Sequence, residues 1–143
     1  MSTPTAADDI PAGSIITPQY VATSGGPVKV KCTNGQSIIT SQRTLYKGHF
    51  EEVPGAPPNS LAPSMWFTWY DTQSMSSWIV LANTTNQNST ADIYLAGTKL
   101  NTQAISVPAG SSLPLLYANK MTGPVEVRVI SGPNLLVSQK SDI

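Results

Sequence analysis

The sequence predicts an all-β protein: an immunoglobulin-like antiparallel β-sandwich of about 8–10 short strands, with a closed β-barrel as the alternative. Three observations carry that prediction. Twelve prolines and ten glycines are spread along the 143 residues, and no window of helical length holds apolar residues at i, i+3, i+4 and i+7 without a Pro, Gly or Asn cluster cutting it. Short runs of β-branched and aromatic residues recur at about ten-residue spacing between turn residues. Two stretches, VKVKC from Val28 and VEVRV from Val125, alternate strictly, with valines pointing one way and Lys29, Lys31, Glu126 and Arg128 the other.

In chain order the expected strands are 15–20, 27–33, 37–46, 65–70, 78–83, 91–96, 102–107, 113–117, 124–130 and 135–139. Each is short and bounded by turn residues. Thr33-Asn34-Gly35-Gln36 is an Asn-Gly hairpin signal that would fold 27–33 onto 37–46, and Ser131-Gly132-Pro133-Asn134 fills the corresponding place after 124–130. In MWFTWY, Trp66, Thr68 and Tyr70 would share one strand face while Met65, Phe67 and Trp69 share the other. Trp78 is assigned to core packing, and Cys32, alternating with Val28 and Val30, to an inward-facing, inert strand position. The polar stretch NTTNQNST reads as an exposed hairpin tip carrying N-glycosylation sequons at Asn83 and Asn88. Residues 1–9 read as a flexible N-terminal segment and 10–143 as one sandwich unit.

Charged residues make up only 11% of the chain, against a usual quarter, and eight Lys and Arg balance eight Asp and Glu. With no net charge, neither nucleic acid nor an anionic membrane surface is an expected partner. No apolar run approaches the roughly 18 residues of a membrane span, and the opening MSTPTAADDIPAG has neither the basic nor the apolar region of a signal peptide. The single cysteine excludes an internal disulfide.

The sequence also repeats itself. Sliding it by 97 places lays residues 10–43 over 107–140 without a gap, and 12 of the 34 positions are identical, among them Gly13/Gly110, Tyr20/Tyr117, Gly26/Gly123, Pro27/Pro124, Val28/Val125, Val30/Val127 and Gly35/Gly132. Ile38/Leu135, Ile39/Leu136 and Lys31/Arg128 are conservative pairs. The stretch 44–106 occurs once, so the chain holds one front half (44–106) and two back halves (10–43 and 107–140). A set of three strands with an apolar face and open edges does not stay solvated as an independent fold. Two solutions are expected: the copies face each other across one pseudo-symmetric sandwich, or the surplus half docks head-to-tail onto a neighbour.

The order WYD, SWIVLAN, ADIYLAG, VPAG, GPVEV and SQ, with the earlier SQRTLYKGHFEEVPG, resembles one phase of a tandem β-sandwich repeat found in large secreted and surface proteins of bacteria. The resemblance covers nearly all of residues 10–140, and its motifs are turns and core aromatics. It implies an extracellular or cell-surface location and a structural or adhesive role, with no known activity.

Reactive groups are few. His49 is the only histidine, no G-x-S-x-G supplies a nucleophile elbow, and one His with one Cys makes no zinc cage, so His49 is expected at the surface and no metal or other cofactor is expected. Glu51 and Glu52, adjacent on a strand, would point to opposite faces. Asp71 is expected to end a strand and cap a turn. No enzyme is indicated. The expected function is that of a structural repeat module of an extracellular assembly, with itself or neighbouring repeats as partners. The alternative is an adhesive module binding a glycan or a surface protein through Trp66, Tyr70 and Asp71.

Overall fold

Strands form where alternating side chains find a second sheet to cover them, and that happens in the latter part of the chain. The computed structural model describes residues 6–20, 25–46 and 48–142, apart from the side chains of Tyr46, His49 and Asp142. Twelve strands follow in order: β1 (Ser41–Tyr46), β2 (His49–Pro54), β3 (Ser64–Phe67), β4 (Tyr70–Asp71), β5 (Ser76–Ala82), β6 (Ser89–Leu95), β7 (Thr98–Lys99), β8 (Ile105–Val107), β9 (Ser112–Leu115), β10 (Met121–Thr122), β11 (Val125–Ser131) and β12 (Leu136–Asp142).

Two antiparallel sheets make the sandwich. One has the order β3-β11-β6-β7, with β8 also paired to β6, and the other β12-β5-β9. The architecture is therefore the expected sandwich, and neither sheet closes into a barrel. Register places Val125 opposite Phe67 and Leu95, and Val127 opposite Met65 and Ile93, so one row of each strand faces inward. Ile79, Leu81 and Val137 from the second sheet, with Leu135, Tyr70 and Val107, complete a core of side chains no more than 7% exposed. The two-residue link between β6 and β7 has both Ala96 (φ +49°) and Gly97 (φ +78°) in the left-handed region, as a tight hairpin requires.

The first back half behaves differently. Among the described residues, 6–40 contain no strand, and β1 pairs only with β2, in a hairpin turned at Gly48 (φ +83°). The expected strands 15–20 and 27–33 are absent, and of 37–46 only β1 forms. Among the described residues the strands of the two sandwich sheets all come from 64–142, so the two copies do not pair across them. Alternation alone gives a strand no partner. Cys32 is half-buried outside any strand, its thiol donating to Asn34 Oδ1 at 2.9 Å, rather than buried in a core. The expected flexible segment 1–9 lies partly outside the described residues, as does the His49 side chain.

Candidate interaction surface

The run 65–70 is interrupted, and that redirects its side chains. β3 ends at Phe67 and β4 begins at Tyr70, so the alternation expected through Thr68 is lost. Trp66 and Trp69 are exposed while Tyr70 is fully buried, its hydroxyl accepting a hydrogen bond from the Tyr117 N–H at 2.8 Å. Burial pushes the Tyr70 phenol above its ordinary pKa. Asp71 is also buried. Its carboxylate accepts from the Ser74 hydroxyl and from the N–H groups of Gln73 (2.8 Å) and Ser74 (3.0 Å), and these bonds, the hydroxyl first, hold it below the usual carboxylate range. It caps the turn after β4. Of the three residues expected to form a ligand surface, Trp66 alone remains available to solvent; core burial of Tyr70 and turn capping by Asp71 remove the other two.

Around Trp66 lies a patterned outer face that sequence reading missed. Cross-strand register sets Trp66 beside Glu126, Glu126 beside Tyr94, and Tyr94 beside Lys99, with Ser64, Arg128 and Asp92 in the adjoining row. Glu126, only 6% exposed, accepts from Arg128 Nε (3.0 Å) and Nη2 (2.8 Å) and from the Ser64 hydroxyl (3.0 Å). The Arg128 guanidinium lies 4.6 Å over the Tyr94 ring. Asp92 pairs with Lys99 at 2.8 Å and with Asn101 Nδ2 at 2.8 Å, and Asn101 Oδ1 in turn caps the Ile93 N–H. Hydrogen bonds, from Arg128 to Glu126 and from Lys99 to Asp92 foremost, lower both carboxyl pKa values. The signal was present in the alternation of ADIYL and VEVRV, whose polar positions interlock once the strands pair.

The opposite sheet carries a shallower feature. Trp78 and Val80 lie on its outer face, flanking a depression with Pro114 and Lys140, while Ser77, Ile79 and Leu81 point inward. Trp78 is thus an outward, half-buried residue and not the core tryptophan expected. Asn83, expected on an exposed tip, is fully buried: its amide donates to the carbonyls of Gln87 (2.7 Å) and Val107 (3.0 Å) and accepts from the Thr85 N–H and hydroxyl. Asn88 is exposed, with Oδ1 accepting from the Ala109 N–H at 3.1 Å.

Among the described residues no three His, Cys, Asp or Glu side chains converge as a metal site, and no helix is long and apolar enough to cross a membrane. The chemistry on offer is stacking on Trp66 and Trp69, hydrogen bonding along an ordered charged row, and apolar burial. Comparison with protein-family models, with curated proteins and with solved structures finds no match to this chain.

Proposed function

We propose that the chain is a structural, non-enzymatic β-sandwich repeat module of an extracellular or cell-surface assembly, coupled to its neighbours through the 10–43 back half. One observation carries this reading: the 34-residue stretch that is folded into the sandwich at 107–140 is present a second time, apolar residues and turns included, where among the described residues no strand of the sandwich pairs with it. Val28 (70% exposed), Val30 (60%) and Ile39 (103%) are the counterparts of Val125, Val127 and Leu136. Exposed apolar rows of this kind mark contacts with another polypeptide. The test is a protein of three successive copies of residues 44–140. It is expected to be a rod with one bead per unit in negative stain, whereas independently tumbling or aggregated units would overturn the reading.

A second reading has a specific observation behind it. Trp66 is 60% exposed beside the ordered row of Glu126, Arg128 and Tyr94, an arrangement suited to stacking on a sugar or a protein side chain. Binding on a glycan array that is lost in Trp66→Ala would favour it.

A further inference from the structure

We infer that residues 10–43 form a docking element whose partner is a second front half: a polypeptide with the strand set of residues 64–95 of this chain, supplied from outside residues 10–143. The inference rests on the reading of the chain as a repeat module and names the surface and occupant that reading requires.

The folded copy shows what covers the unfolded one. Val125 and Val127 are buried between the flanking strands β3 and β6, and Leu136 is half-buried where β5 pairs with it at Ala82. All three covering strands belong to the front half. The glycines point the same way. A side chain at Gly123 would collide with the Thr68 carbonyl, and one at Gly132 with the Asn88 carbonyl, both front-half groups. Gly26 stands where Gly123 does but meets only the Ser112 hydroxyl, at 2.9 Å, and Gly35 stands where Gly132 does with nothing within 4 Å. Gly26 lies outside the left-handed region, so its own φ does not demand glycine. The close backbone approach that demands glycine at 123 is replaced at 26 by a single side-chain hydroxyl.

The turns of the surplus copy already have the docked geometry. Ser14 N–H donates to Pro11 O at 3.1 Å and Ser111 N–H to Pro108 O at 3.2 Å. Gly13 and Gly110 have φ of +71° and +65°, and Gly35 and Gly132 of +78° and +82°. Charge fits as well. Asp92 stands opposite Arg128 in the folded copy, and Lys31 replaces Arg128 in the other, so the same front half would set an aspartate against Lys31. A second copy of the chain does not meet the need. Its front half already holds 107–140, and any exchange frees as much apolar surface as it covers.

The experiment compares amide hydrogen exchange in the full chain with that in a chain extended by residues 44–106 joined directly to Ile10, which balances two front halves with two back halves. The amides of 28–32 are expected to exchange nearly unprotected in the full chain and to gain on the order of a thousandfold protection in the extended one. Val28→Asp with Val30→Asp in the extended chain should abolish that gain and leave β6 and β11 protected. No gain in the extended chain, with β6 and β11 still protected, would overturn the inference while leaving the rod test untouched. Protection of 28–32 in the full chain at high concentration would overturn it in favour of a second copy.

Discussion

Asn83 closes the end of the sandwich: its fully buried amide makes three hydrogen bonds within 83–87 and donates a fourth to the Val107 carbonyl of β8. Replacing it by alanine strands the Val107 and Gln87 carbonyls, and a cost of about 1–3 kcal/mol is expected in urea unfolding; a change near zero would show the loop to be held elsewhere. Glycine gives a sharper contrast. Gly123→Ala is expected to destabilise the chain by roughly 1–3 kcal/mol, because Cβ meets backbone. Gly26→Ala should be close to neutral, because it meets only a hydroxyl that can rotate away. The carboxylates add a pH dependence. Folding lowers the Asp92 and Glu126 pKa values below the unfolded ones of about 3.9 and 4.3, so their stabilisation is present above that range and lost as pH falls through the folded values. The urea midpoint should drop on acidification from about pH 5 to about pH 3, and less steeply in Asp92→Asn with Glu126→Gln. Equal slopes would place the acid sensitivity in other groups.

At the scale of elements, the stretch 107–140 and its duplicate 10–43 are a controlled comparison. Leu135→Ala, at a position of zero exposure just before β12, is expected to cost about 2–5 kcal/mol, whereas Ile38→Ala, at the duplicated position and 38% exposed, should change stability by less than about 0.5 kcal/mol. Equal costs would mean that the first copy is packed in solution. Strands β5, β6, β11 and β12 were legible within a few residues because apolar alternation and bounding turns coincide there. The hairpin strand β2 and the two-residue strands β7 and β10 were not. HFEEVP lacks alternation, and two-residue pairings are set by tertiary approach, not by pattern. The row expected from Trp66, Tyr70 and Asp71 is split for a similar reason: a break at Thr68–Trp69, invisible in the sequence, puts Tyr70 in the core and leaves Trp66 exposed.

At the scale of the whole molecule, the sandwich should be indifferent to its N-terminal third. A chain beginning at Ser41 is expected to unfold within about 2 °C of the full chain, since among the described residues 6–40 contribute none of the buried core. A large drop would show the first back half to be part of the fold. What the sequence determined by itself is the all-β class, the positions of the glycine turns, and the fact that one stretch is present twice, because turn chemistry and periodicity are local properties of the chain. Only the tertiary structure decided which copy is buried. Val28 and Val125 lie in the same pattern and meet opposite fates, since alternation specifies an apolar face but burial requires a partner strand, and the chain carries enough partner strands for one copy.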